Sequence, residues 1–120
     1  MNRLVAVAAL TGFLAVALGA FGAHALDGRL TAEGTDWWHT ATLYALPHAA
    51  VAFAVGLSGR GGLIRTGGWL MITGAIIFAA TLYAMALGAP RWFGAITPLG
   101  GVLMLAGWAC SAFGGLKDRA

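Results

Sequence analysis

Three histidines and two tyrosines are the side chains of this chain best able to move a proton or hold a polar guest, and most sit within long apolar runs. His24 lies in "GAFGAHAL" (19–26), where its neighbours are small or apolar. Thr40, Tyr44 and His48 recur every four residues, a spacing that puts them on one helix face. Tyr83 lies in "ATLYAM" (80–85), an echo of "ATLYAL" (41–46). Polar groups are costly inside a membrane, so each prompts a functional expectation. The Thr40–Tyr44–His48 stripe is expected to point into a helix bundle. His48 falls about ten residues, roughly 15 Å, from the outer edge of its run, near the bilayer middle. Pro47 removes the bond that the Leu43 carbonyl would accept, so a kink is expected there. His39 is interfacial.

These positions suggest an intramembrane cluster of His24, Tyr44, His48 and Tyr83. Three uses are open to it: neutral histidines bonded to tyrosine hydroxyls or carbonyls, a proton relay or polar-solute site, and a haem or metal site. The last is disfavoured, because His24 and His48 differ in depth by about 10 Å. No carboxylate or paired cysteine lies nearby to complete a ligand set. No nucleophile–base–acid set appears, and "SGRGG" (58–62) reads as a turn rather than a phosphate loop. No catalytic residues, cofactor or metal are expected, and the chain is not expected to be an enzyme.

The elements that must position these residues follow from composition. The chain has 120 residues, 60% hydrophobic and 9% charged, where soluble domains carry about 25% charged residues. Lipid is therefore expected to solvate most of it. The net charge of +3 comes from scattered Lys and Arg, which argues against nucleic acid as a partner. The single cysteine, Cys110, can form no internal disulfide. A membrane helix needs about 20 mostly apolar residues. Such runs fall at about 4–26, 38–57, 68–87 and 98–113. The expected fold is an all-α, single-domain bundle of four transmembrane helices, with 27–36 and 58–68 as loops. Thr97 reads as an N-cap, with Pro98 opening the last helix.

Basic residues set orientation. With both termini cytoplasmic, the inner side holds Arg3, Arg60, Arg65, Lys117 and Arg119, and the outer side Arg29 and Arg91. Trp37, Trp38 and Trp92 then fall at the outer interface and Trp69 at the inner one. "AHA" (23–25) fits a signal-peptidase site, but the apolar run before it exceeds the usual 7–15 residues. The first span is expected to be retained.

Small residues allow helices to approach in lipid. Ala8 and Gly12, then Ala15, Gly19 and Ala23, are spaced by four, and Gly22 lies beside them. Ala75 and Ala79 mark span three, and Gly100, Gly101, Gly107 and Gly114 mark span four. These read mainly as packing surface. The ATLYA echo would fit an inverted repeat, as in transporters, but six common membrane residues are weak evidence, and coincidence is the better explanation.

"GAFGAHAL", "YALPHA" (44–49), "TLY" (81–83), "ITPLGG" (96–101) and "GW" (107–108) together resemble the YgdD-type small inner-membrane family, domain of unknown function 423. The resemblance spans almost the whole chain. It implies a multi-span protein of the bacterial inner membrane that keeps its first segment, and it implies no activity. The matching positions are Gly19, Gly22, His24, Tyr44, His48, Tyr83, Pro98 and Gly100. The chain departs from the pattern at Ala45, where a larger polar residue is usual, and at Pro47. Small multidrug exporters share the size and span number, but their coupling needs a glutamate in span one, which is absent here.

Two functional classes therefore compete. One is a non-enzymatic accessory or assembly protein, whose partners are the bilayer and other subunits or copies of itself. The other is an oligomeric transporter or channel for a proton or small polar solute, lined by the His/Tyr cluster. The scarcity of charge in the spans favours the first.

Overall fold

The computed structural model describes residues 1–118. Arg119, expected on the inner side, lies outside the described residues. Four helices are long and apolar enough to cross a membrane: α1 (Arg3–His24), α2 (Ala32–Ser58), α3 (Gly62–Ala86) and α4 (Thr97–Lys117). A 3₁₀ turn, Arg91–Ala95, precedes α4.

Three of the four helices outrun the apolar runs that announced them, whereas α1 ends at His24, two residues short of the expected 26. α2 starts at Ala32, inside the polar stretch expected to be a loop. The Thr31 hydroxyl caps it by accepting from the Gly34 N–H at 2.9 Å. Glu33 and Asp36 therefore ride on the first two turns of α2. The α2–α3 turn shrinks to Gly59–Gly61, with Gly59 at φ 68°, so Arg65 is helical too. Thr97 is the first residue of α4 rather than its cap, and Pro98 is the second. The 3₁₀ turn supplies the physical reason. The chain is already helical at Ile96, and the Thr97 hydroxyl turns back towards the Phe93 carbonyl. α2 runs unbroken through Pro47.

α3 is the hub. Half of its membrane-length window is buried, against 17% in the first and last helices. It packs on α4 and α2, while α1 packs on α2 and touches α3 less. Two stripes at alternating steps of three and four run along α3, the pattern of interlocked helices. Gly67, Met71, Gly74, Phe78, Thr81 and Met85 face α4 and its preceding turn. Gly68, Ile72, Ala75, Ala79 and Leu82 face α1 and α2.

The α3–α4 contact is backbone against backbone. A Cβ on Gly74 would stand 2.5 Å from the Gly100 carbonyl oxygen, and one on Gly107 2.8 Å from that of Gly67. Gly67 and Gly74 are seven apart on α3, as are Gly100 and Gly107 on α4, so the same pairing repeats every second turn. Leucine gains nothing by leaving lipid for protein, so this close approach, with its dispersion and dipole contacts, holds the pair together. On the other flank, Gly22 of α1 makes room for the Trp38 indole, and Gly19 faces Thr42.

Candidate functional site

His48 stands on α2, 8% exposed. Its Nδ1 lies 2.7 Å from the Tyr44 carbonyl oxygen, one turn earlier. A carbonyl only accepts, so Nδ1 carries the proton. Its Nε2 lies 3.0 Å from Trp108 Nε1 on α4. Indole only donates, so Nε2 accepts. Together the two partners set a neutral ring in one tautomer. Pro47 contributes none of this: the carbonyl it frees belongs to Leu43, whereas His48 uses that of Tyr44.

Tyr44 lies beside His48, with ring centroids 6.4 Å apart, and tilts onto Phe78 of α3 at 4.9 Å. It is 42% exposed. Of the stripe of Thr40, Tyr44 and His48, only His48 is thus buried, and it turns towards α4, while Trp38, Ala41, Ala45, Ala49 and Ala52 fill the bundle centre. Tyr44 and His48 instead wall a groove of about 440 Å³ between α2 and α4, with Phe78, Pro98, Gly101 and Trp108.

Tyr83 belongs elsewhere. Its hydroxyl meets the Thr42 hydroxyl at 2.5 Å, and its ring meets the edge of Trp38 at 4.5 Å. Thr42 and Tyr44 are two residues, about 200°, apart on α2, so the two tyrosines are served by different sides of one helix. His24 joins neither. It is exposed at the last turn of α1. Gly22 is the α1 residue that meets α2 there, and His24 lies about 200° further round. The expected four-residue cluster therefore divides into His48 with Tyr44, Tyr83 with Thr42, and a separate His24.

The polar side chains do share one arrangement, which tied helix pairs reveal. Trp38 Nε1 donates to the Leu18 carbonyl at 2.8 Å, joining α2 to α1. Thr42 and Tyr83 join α2 to α3. The Thr81 and Thr97 hydroxyls meet at 2.7 Å and join α3 to α4. His48 and Trp108 join α2 to α4. Every described buried side-chain nitrogen and oxygen has a partner. Trp38 was expected at the interface yet is 2% exposed. Its signal was a large ring and a facing glycine, Gly22. Trp108, Thr42, Thr81 and Thr97 also escaped sequence reasoning as tying residues. The ATLYA echo is not symmetric: Thr42 bonds Tyr83, but Thr81 bonds Thr97 rather than Tyr44.

At the ends, Arg91 pairs with Glu33 at 2.5 Å and lies over the Trp37 ring, and Arg60 pairs with Asp118. All four ionic groups are substantially exposed, so these pairs contribute little. No group of three or more His, Cys, Asp or Glu able to hold a metal occurs among the described residues.

Four apolar helices tied by single hydrogen bonds in this way define a multi-pass helical membrane protein. The profile described as "Protein of unknown function (DUF423)" matches residues 18–101. The chain belongs to that family. It is 39% identical over 119 residues to a UPF0382 membrane protein of Staphylococcus saprophyticus, covering 98% of this chain and 99% of that one. The UPF0382 membrane protein YwdK of Bacillus subtilis is 40% identical over 113 residues, covering 90% and 91%. One from Schizosaccharomyces pombe is 41% identical over 109 residues, covering 86% and 92%. No solved structure matches.

Proposed function

We propose that the chain is a non-enzymatic accessory component of the bacterial inner membrane, packing beside other subunits or further copies of itself. The observation that supports this is the set of four ties. Most of the polar side chains that a transport path would present are committed to bonds between helices, three of them side chain to side chain and one from Trp38 to the Leu18 carbonyl. A relay needs groups in succession, whereas Tyr44 and His48 face one groove and Tyr83 the opposite side of α2. α1 and α4 carry most of the exposed large apolar residues of the four helices, Phe13, Val16, Leu99 and Leu105 among them, and α2 adds Leu43 and Leu57.

Both termini lie on the cytoplasmic side in this reading, supported by Arg3, Arg60, Arg65 and Lys117 at that end of the bundle. In a Cys110→Ser background, Arg29→Cys should react with an impermeant thiol reagent added outside intact cells, and Lys117→Cys should not. The functional reading is tested by mass spectrometry of the natively expressed protein in a gentle membrane mimic. A reproducible, stoichiometric assembly with other subunits is expected. The chain alone, or only as a homo-oligomer that moves a solute in vesicles and loses that activity in His48→Phe, would overturn it.

A further inference from the structure

We infer that the groove between α2 and α4 is a binding site for a flat, membrane-soluble ring carrying a carbonyl or hydroxyl oxygen, of the quinone or quinol class. This goes beyond the accessory reading and does not depend on it.

The first observation is the Tyr44 hydroxyl, which has no hydrogen-bond partner among the described residues although it lines the groove. A helical threonine can turn its hydroxyl back onto its own carbonyls, as Thr11 and Thr81 do. A tyrosine oxygen stands too far from its backbone for that. In hydrocarbon an unpaired hydroxyl is costly, so this one calls for an oxygen from outside the chain. Both nitrogens of neighbouring His48 are already engaged. The groove therefore offers one free polar point, able to donate to a carbonyl or accept from a hydroxyl.

Depth narrows the choice. Tyr44 is seven residues beyond Trp37, about 10 Å deeper along α2. Trp37 packs beneath the Arg91 guanidinium at the polar end of the bundle. Phospholipid headgroups and ester oxygens stay near that level. An acyl chain reaches the groove but brings no oxygen to it.

The walls favour a flat guest. Tyr44, Phe78, His48 and Trp108 present ring faces and edges, the surfaces on which another ring packs with its centroid 4.5–7 Å away. The about 440 Å³ of space lies within the range of small-molecule sites. α4 keeps it open at Gly101, where an added Cβ would meet nothing within 4 Å. Its neighbour Gly100 serves the α3 contact, so Gly101 is not needed for that packing. Val102 and Leu105, 61% and 70% exposed, provide an apolar way out for a tail.

The test uses the full chain in lipid nanodiscs of phosphatidylcholine and phosphatidylglycerol, titrated with decylubiquinone while tryptophan fluorescence is followed. Empty discs with a lipid-anchored tryptophan correct for partitioning. The wild type should show saturable quenching. Gly101→Leu should fill the groove and abolish saturation. Gly115→Leu, at another open glycine of α4 outside the groove, should bind as the wild type does. Tyr44→Phe should weaken binding about two- to tenfold, the loss of one hydrogen bond, and it keeps the test decisive if Gly101→Leu does not fold. Quenching that rises linearly in the wild type, or saturates equally in Gly101→Leu and Tyr44→Phe, overturns the proposal. So does a dimer that Gly101→Leu dissociates, because a second copy would then fill the groove.

Discussion

Gly100 and Gly101 are consecutive on α4, and one added methyl group meets opposite surroundings at the two. On Gly100 it would stand 2.6 Å from the Gly74 carbonyl oxygen, 2.6 Å from the Phe78 amide nitrogen and 2.9 Å from Phe78 Cβ. Comfortable contact begins near about 3.5 Å, so α3 and α4 must part by roughly 1 Å to make room. Two of those atoms are backbone and cannot rotate away. Overpacking of this kind costs about 1–3 kcal/mol. On Gly101 the same methyl meets nothing within 4 Å. The helix preference of alanine over glycine, about 1 kcal/mol, is common to both changes and cancels between them. Gly100→Ala should therefore be less stable than Gly101→Ala by about 1–3 kcal/mol. Unfolding in mixed micelles titrated with dodecyl sulfate, followed by tryptophan fluorescence, measures the difference. Equal midpoints for the two variants would refute the claim that backbone contact at Gly100 sets the α3–α4 distance.

Three further outcomes are expected in the same assay. Gly22→Ala should cost at least as much as Gly100→Ala, because its methyl would overlap the Trp38 indole and break the bond to Leu18; loss of the native Trp38 emission should accompany it. Trp108→Phe should cost about 1–3 kcal/mol by leaving His48 Nε2 unpaired, and a double-mutant cycle with His48→Phe should return a coupling of about 0.5–2 kcal/mol; additive effects would count against the tie. Thr42→Val and Tyr83→Phe should each cost about 0.5–1.5 kcal/mol, with the double variant close to the worse single one.

Four spans were legible because lipid requires long apolar runs, and composition reports those directly. Helix ends were not, because hydropathy marks where lipid starts rather than where the helix starts. Glu33 and Asp36 are polar yet helical, and Thr31 is the signal that fixes the start. The candidate cluster failed for a second reason. Grouping His24, Tyr44, His48 and Tyr83 by their positions along the apolar runs left out rotation about the helix. Steps of two residues, 22 to 24 on α1 and 42 to 44 on α2, move a side chain to the far side. Trp37 and Trp38 differ by a single step of about 100°, which separates a half-exposed ring under Arg91 from a core one. The seven-residue spacing of Gly67 with Gly74 and of Gly100 with Gly107 was present in the sequence, but a search for four-residue spacing passes over it.

That heptad spacing creates an ambiguity the rest of the hairpin has to resolve. Sliding α4 by seven residues, about 10 Å, would set Gly67 against Gly114 and Gly74 against Gly107, again glycine on glycine. Smooth helix faces of this kind act like a vernier scale with two coincident marks. The choice between them falls to the ends of the scale. The Thr81–Thr97 pair meets only in the observed setting, and the short connection through Pro90 and the 3₁₀ turn limits travel. Two small hydroxyls near one end of the hairpin thus act as its detent.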